Sequence, residues 1–175
     1  MKSITEVERS LANKIIIVRL DLNVPIQNGK ITDTTRIDQA LPTLRYVLER
    51  TNRVCIASHL GRPKGKSVDH LSLEPVGAKL SQLLGKEVLL VKDYFTEPAD
   101  QMMNQMGKNQ LILLENLRFY EEETKNNQDF AEALAKGIDY YINDAFGAVH
   151  RAHASIVGIP KVLQEHRCAA GFLIQ

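Results

Sequence analysis

The sequence feature that most constrains the fold is a set of five short apolar runs, spread along the 175 residues. None of them alternates between apolar and polar residues, and such continuous runs are typical of strands buried on both faces of a covered parallel sheet. Their spacing along the chain is that of successive strand–helix–strand units. We therefore predict strands at residues 14–20, 53–58, 87–91, 110–115 and 139–143.

Amphipathic segments separate the predicted strands. Residues 36–50, 73–84 and 129–136 each place aliphatic side chains on one helical face, and glycines 85 and 137 stand where helices commonly end. Pro42 lies inside the first segment, and because proline lacks a backbone donor it predicts a kink or a later helix start. Strands that alternate with helices predict an α/β fold, a three-layer α/β/α domain with an open, mostly parallel sheet.

Composition excludes several classes of function. The formal net charge is +1 and 25% of the residues are charged, so nothing global favours nucleic acid or a membrane surface as a partner. Cys55 and Cys168 are far apart among apolar residues, which favours buried thiols in a reducing compartment over a disulfide. We find neither a signal-peptide pattern nor a run of about 20 apolar residues, and so expect a cytoplasmic protein without a membrane partner.

Polar and charged residues follow four of the predicted strands. Because ligands of open α/β sheets bind beyond the carboxyl ends of the strands, we expect these residues to share one crevice. A long loop after the first strand also brings Arg36 to the head of the first predicted helix. The residues in the four segments are Asp21, Asn23, His59, Arg62, Asn116, Arg118, His150, Arg151 and His153.

Arginine is well suited to an anion site, and Arg36, Arg62, Arg118 and Arg151 all occupy these segments. A guanidinium stays charged and presents a planar fork of donors that meets a phosphate or carboxylate with two bonds. Charge-assisted bonds contribute about 1.5 to 3 kcal/mol each, so two or three of them hold a dianion in a nearly neutral chain. Solvated charges or weak ion pairs are expected instead at Arg45, Arg50 and Arg53.

Five segments carry a specific resemblance. They read VRLDLNVP, TTRI, SHLGRP, LLENLRF and NDAFGAVHRAHAS, in this order. In all five the chain resembles the substrate-binding motifs of the phosphoglycerate kinase family. The resemblance implies a Rossmann-like N-terminal domain of that family, with residues 1–175 forming a single 3-phosphoglycerate-binding domain. It also implies that the C-terminal nucleotide-binding domain is absent from this chain.

The resemblance also implies a role for each matching residue. Asp21 and Asn23 would contact the hydroxyl and carboxylate end of 3-phosphoglycerate. Arg36 would lie beside the phosphoryl group in transit and is the expected catalytic residue. The other expected substrate-binding residues hold the resident phosphate or belong to the SHLGRP motif; they are His59, Leu60, Gly61, Arg62, Arg118 and Arg151.

The implied reaction is the glycolytic transfer of a phosphoryl group between 1,3-bisphosphoglycerate and ADP, which yields 3-phosphoglycerate and ATP. The absent domain would bind Mg-ATP or Mg-ADP, so no cofactor or metal is expected in this chain. The acceptor carboxylate is ionised near neutral pH and needs no general base, which assigns His59 to binding. The expected partners are the two phosphoglycerates and the protein's own C-terminal domain. We expect a monomer that binds 3-phosphoglycerate weakly and, alone, turns nothing over.

One alternative interpretation rests on GRPKGKS, residues 61–67, which resembles the phosphate loop of nucleotide hydrolases. It has one residue too few between its first glycine and the Gly-Lys pair, and no helix pattern follows at once. We expect a flexible, solvated basic loop in which Lys64 and Lys66 add only local positive potential.

Two other patterns have simpler explanations. His150 and His153 are three residues apart, as metal ligands on a helix would be, but no third ligand stands at a convincing spacing. A histidine hydrogen-bonded within an anion site is the favoured interpretation of at least one of them. The run EEET at residues 121–124 is expected to be a solvated helix start, because acidic residues are favoured there.

Overall fold

The computed structural model describes residues 1–97 and 100–174. The strands in this part of the chain are β1 (Lys2–Ser3), β2 (Ile15–Arg19), β3 (Ile26–Gln27), β4 (Lys30–Ile31), β5 (Arg53–Ala57), β6 (Glu87–Val91), β7 (Gln110–Leu114), β8 (Tyr140–Asn143) and β9 (Cys168–Ala170). The α-helices are α1 (Thr35–Leu48), α2 (Glu74–Leu84), α3 (Asp100–Asn104), α4 (Glu121–Thr124), α5 (Gln128–Ala135) and α6 (Ile159–Leu163). A 3-10 helix, Ile4–Leu11, follows β1, and a π-helical turn, Ala154–Gly158, leads into α6.

Seven of these strands form one sheet, and every pair of neighbours in it is parallel. Their order is β1-β9-β8-β2-β5-β7-β6, while β3 and β4 form a small separate antiparallel hairpin. Two apolar cores cover the sheet, one containing residues of α1 and α2 and the other residues of α3, α5 and α6. The predicted three-layer α/β/α architecture with an open, mostly parallel sheet is confirmed.

The five apolar runs are the five strands β2, β5, β6, β7 and β8, within two residues at each end. All three amphipathic segments are helical, as α1, α2 and α5. Gly85 follows α2 in a left-handed conformation with φ +63°, a geometry that glycine adopts without steric cost. Pro42 lies inside α1, which begins at Thr35, so the alternative of a later helix start is wrong.

Sequence patterning did not reveal β1, β9 or the β3–β4 hairpin. Each of these strands has only two or three residues, too few for a periodic pattern. Cys168–Ala170 becomes a strand because its backbone pairs with β8 on one side and β1 on the other. These elements are defined by their neighbours in space.

The path of the chain places a crevice beside β2. From β2 the chain passes to β5, then to the edge strand β6, and back to β7 between them, before it adds β8 and β9 on the other side of β2. Ligands of open α/β sheets bind at such a reversal of strand order, beyond the carboxyl ends of the strands. The strands β8, β2, β5 and β7, whose carboxyl ends carry the predicted site residues, are direct neighbours.

No helix within residues 1–97 and 100–174 is long and apolar enough to cross a membrane.

Candidate functional site

The backbone of Gly61 joins the two sides of the crevice. Its N–H donates to Asn23 Oδ1 at 2.9 Å, and its carbonyl accepts from the Arg118 guanidinium at 2.9 Å. Gly61 has φ +62°, in the left-handed region that favours glycine. Gly61, in the loop that follows β5, therefore connects the loop after β2 to the loop after β7.

The side chain of Asn116 holds the same turn through two hydrogen bonds to the backbone of Leu60. It accepts from the Leu60 N–H at 3.2 Å and donates to the Leu60 carbonyl at 2.7 Å. Leu60 is 3% exposed, and its side chain lies in the core. Leu60 thus contributes to the geometry of the crevice from inside the protein. Asn116, which positions it, was not among the predicted binding residues.

Three of the predicted arginines line one cleft of about 570 Å³. Arg62 and Arg151 are more accessible there than Arg118, which is buried and whose Nε has no hydrogen-bond partner within the described residues. Burial and the neighbouring charge of Arg151 lower the pKa of Arg118. A bound anion would relieve this concentration of positive charge. The other residues that line the cleft are Lys64, Gly65, Glu121, Thr124, Lys125 and His153.

Asp21 and Arg36 form an ion pair in a different part of the crevice. Arg36 Nη1 donates to Asp21 Oδ2 at 2.5 Å, and the side chains are 47% and 10% exposed, respectively. The other oxygen, Asp21 Oδ1, accepts from the Asn23 N–H at 3.1 Å. A Cβ atom at Gly147 would collide with Asp21 Oδ2, so a larger residue there would force the Asp21 carboxylate to move.

His59 is 4% exposed and lies among positive charges. Arg19 Nη2 lies 3.0 Å from His59 Nδ1. Burial is the main cause that lowers the pKa of His59 to about 2, and the charges of Arg19, Arg118, Arg36 and His153 contribute to the same shift. His59 is consequently a neutral imidazole at every physiological pH.

His59 belongs to a cluster of buried polar residues. Arg19 Nε donates to Ser155 Oγ at 2.8 Å, and Ser155 Oγ donates to Glu123 Oε2 at 2.5 Å. Glu123 Oε1 accepts from the Ser155 N–H at 2.7 Å, and Arg19 Nη2 lies 3.9 Å from Glu123 Oε2. We call Arg19, His59, Glu123 and Ser155 the buried cluster.

Arg19, Glu123 and Ser155 were not among the residues predicted from the sequence. The predicted helix start at residues 121–124 is α4, but the expectation that Glu123 is solvated is wrong, because its side chain is completely buried. Arg19 could have been recognised in the sequence, because it is a charged residue in an otherwise apolar strand. Such a residue must find a partner, since an unpaired buried charge is very costly. The sequence does not say which of the acidic residues is that partner.

The GRPKGKS segment is part of the crevice and does not open directly into a helix. A short 3-10 helix, Asp69–Leu71, precedes α2. The Gly65 N–H donates to the Arg118 carbonyl at 3.1 Å, and Lys64 lines the cleft. The loop therefore lacks the helix N-terminus on which the phosphate loop of nucleotide hydrolases depends.

The two histidines of HRAH lie in different environments. His150 is exposed, whereas His153 lines the cleft and its buried Nδ1 has no hydrogen-bond partner within the described residues. Burial lowers the pKa of His153. Across residues 1–97 and 100–174, no group of three or more histidine, cysteine or acidic residues is arranged to hold a metal ion.

Fold and crevice together define a class: a parallel α/β domain with an arginine-rich crevice at the carboxyl edge of its sheet. A family model described as phosphoglycerate kinase matches residues 4–175. The chain belongs to the phosphoglycerate kinase family.

Similar proteins from several organisms belong to the same family. A phosphoglycerate kinase of Bdellovibrio bacteriovorus is 49% identical over 94% of this chain, and one of Prochlorococcus marinus is 46% identical over 99%. A chloroplastic phosphoglycerate kinase of Volvox carteri is 50% identical over 94% of this chain. The matches cover 41%, 43% and 36% of these relatives, respectively, so the chain spans about two fifths of their length.

Solved structures give the same result. Phosphoglycerate kinase from Coxiella burnetii superimposes with a TM-score of 0.81 at 41% identity, covering 94% of this chain and 40% of that one. The enzyme from Pyrococcus horikoshii gives a TM-score of 0.85 at 33% identity, covering 99% and 43%.

Proposed function

We propose that this chain is the 3-phosphoglycerate-binding part of a phosphoglycerate kinase. In the complete enzyme, a phosphoryl group would pass between 1,3-bisphosphoglycerate and ADP, yielding 3-phosphoglycerate and ATP. The observation that carries the proposal is the cleft lined by Arg62, Arg118 and Arg151, joined through Gly61 to the Asp21–Arg36 pair. A ligand with a phosphate at one end and a carboxylate at the other matches such a divided crevice.

The resident phosphate is assigned to the cleft side. Arg62 and Arg151 line the cleft, and the unpartnered Nε of the buried Arg118 belongs to the same wall. Each guanidinium presents donors in a plane that meets phosphate oxygens with two bonds. His59 would add a neutral donor, and Gly61 and Leu60 shape the turn that holds these groups.

The reacting carboxylate is assigned to the Asp21 side. Asp21 and Asn23 would meet the hydroxyl and carboxylate end of the ligand. Arg36 has a half-exposed side chain whose partner in this crevice is Asp21. An arginine held this way is free to turn toward a phosphoryl group whose negative charge spreads during transfer, and Arg36 is therefore the proposed catalytic residue.

The remaining parts of the reaction lie outside this chain in the proposal. A C-terminal domain of the same protein would bind Mg-ATP or Mg-ADP, and residues 1–175 would act as one ligand-binding domain. By itself this domain would bind 3-phosphoglycerate weakly without turnover. We further propose a monomeric, cytoplasmic enzyme.

Calorimetric titration of the purified chain with 3-phosphoglycerate tests the proposal. Arg62→Ala should weaken binding roughly 10- to 150-fold, because charge-assisted bonds contribute about 1.5 to 3 kcal/mol each. Arg53→Ala is the matched control: Arg53 is an exposed arginine at the amino end of β5, away from the crevice. Equal effects of the two substitutions would mean that the site is misplaced. Binding of Mg-ATP without a response to 3-phosphoglycerate would favour the nucleotide interpretation of GRPKGKS and reject ours.

A further inference from the structure

The guanidinium of Arg19 is completely enclosed at the carboxyl end of the central strand β2. Each of its nitrogens has a partner: Nε bonds Ser155 Oγ at 2.8 Å, Nη1 bonds the Leu20 carbonyl at 2.5 Å, and Nη2 bonds His59 Nδ1 at 3.0 Å. Glu123 lies close enough to balance the charge. The orientation of Arg19 is therefore determined from inside the protein and requires no ligand.

The bond to His59 has a chemical consequence. A guanidinium has donors and no acceptor, so His59 Nδ1 must accept. A neutral imidazole carries one proton, and with Nδ1 as acceptor that proton resides on Nε2. Nε2 has no hydrogen-bond partner in the described part of the chain. The ring thus keeps one free donor.

We propose that Arg19 is a positioning residue that holds His59 in the Nε2–H tautomer, so that the imidazole donates to the resident phosphate of the ligand. The inference rests on the proposed function. Arg19 itself does not touch the ligand. It acts through the ring, as the buried carboxylate orients the histidine of a hydrolase triad.

Burial and, after it, the surrounding charges keep the His59 ring neutral by lowering its pKa. His59 faces Arg19 from β2, Arg118 from the loop after β7, Arg36 from α1 and His153 from the segment before α6, and each of them opposes protonation. Glu123 is the acidic group of the buried cluster, and Arg19 lies between it and the ring. Because the ring does not gain a proton in the physiological range, its contribution to phosphate binding should be independent of pH there.

The first test needs no ligand and no variant. Long-range 1H–15N NMR of the chain at pH 7 distinguishes the two tautomers of His59 by the shifts of Nδ1 and Nε2. We expect the proton on Nε2, unchanged from pH 5 to pH 8. A proton on Nδ1, or a titration within that range, would overturn the role of Arg19 whatever the ligand proves to be.

The second test uses the double variant Arg19→Met/Glu123→Gln, which removes both buried charges together and so avoids leaving one unpaired. We expect a mixture of tautomers at His59 and binding of 3-phosphoglycerate about 3- to 10-fold weaker, the value of one neutral hydrogen bond. Arg62→Ala is the comparison: it should weaken binding while His59 keeps its Nε2 proton. If the double variant retains both the tautomer and the affinity, the inference is wrong.

These results separate the two proposals. A wild-type chain that shows the Nε2–H tautomer but no binding of 3-phosphoglycerate would overturn the proposed function, and with it the ligand contact of His59. A wild-type chain that binds the ligand with the proton on Nδ1 would overturn only the role of Arg19.

Discussion

Two arginine–carboxylate pairs lie near the same edge of the sheet and are built in opposite ways. Arg19 and Glu123 are both completely buried, with 3.9 Å between the charged atoms. Arg36 and Asp21 are 2.5 Å apart, and nearly half of the Arg36 side chain is exposed. The Arg36–Asp21 pair is shorter but more easily broken, because water reaches the Arg36 guanidinium.

The difference fits the two roles that we propose for these arginines. A buried pair contributes little net stability, but the loss of one partner leaves a charge without water or counter-ion. An exposed pair is worth less than about 1 kcal/mol and can change partners at almost no cost. Arg19 is therefore suited to orienting a neighbour permanently, and Arg36 to meeting a ligand whose charge moves.

The largest effect is expected from Glu123→Gln. This substitution keeps the shape of the side chain but leaves the Arg19 charge unpaired, which should lower the free energy of unfolding by about 3 to 5 kcal/mol. Urea denaturation measures the change. Glu121→Gln, which breaks the exposed pair with Lys125, is the matched control and should cost no more than about 0.5 kcal/mol. The double variant Arg19→Met/Glu123→Gln should be more stable than Glu123→Gln alone. A Glu123→Gln variant as stable as the wild type would show that the buried pair is no more costly to break than an exposed one.

An intermediate effect is expected from acid, acting through His59. Its pKa in the folded protein is about 2 and its unfolded value is 6.5, so the unfolded chain gains the proton first as the pH falls. The stability from a neutral buried His59 is thus present above pH 6.5 and lost below it, by at most about 1.4 kcal/mol per pH unit.

Urea denaturation at pH 7 and pH 5 measures this loss. His59→Gln should reduce it, because glutamine does not titrate and its carbonyl can still accept from Arg19. His70→Gln removes an exposed histidine and should leave the pH dependence as in the wild type. If the free energy of unfolding changes equally between pH 7 and pH 5 in the wild type, His59→Gln and His70→Gln, the buried cluster does not resist protonation of His59.

The smallest effect on stability is expected from Arg36→Ala. The exposed pair with Asp21 should change the free energy of unfolding by less than about 1 kcal/mol. Thermal and urea denaturation provide the measurement, with Arg53→Ala as the control for loss of an exposed arginine. A loss above about 2 kcal/mol would place Arg36 among structural residues, together with Arg19.

Much of the fold could be predicted because the signals are local. A continuous apolar run indicates a buried strand, an amphipathic stretch indicates a helix, and both can be recognised without knowing what lies nearby. The rule that ligands meet the carboxyl ends of parallel strands then predicts that Arg62, Arg118 and Arg151 lie together. Their shared cleft is a consequence of strand order as well as of motif.

The rest depended on partners that are distant in sequence. Leu60 stands in a predicted binding motif, yet its side chain is in the core and its backbone bonds Asn116, 56 residues away. Arg50 was expected to be a solvated charge or half of a weak pair. It does form an ion pair at 2.7 Å, and its partner is Glu8, 42 residues away in the sequence. Neither arrangement has a periodic signal.

By itself, the sequence determined the class of fold, the strands that line the crevice and the arginine-rich chemistry of that crevice. These follow from patterns within one segment and from the parallel order of the sheet. Only the tertiary structure decided which charges are buried and what they bond: that Arg19 meets His59 and Ser155, and that Glu123 leaves the solvent to balance it. The physical reason is that the cost of a buried charge is set by its whole surroundings, and those surroundings come from several elements far apart in the chain.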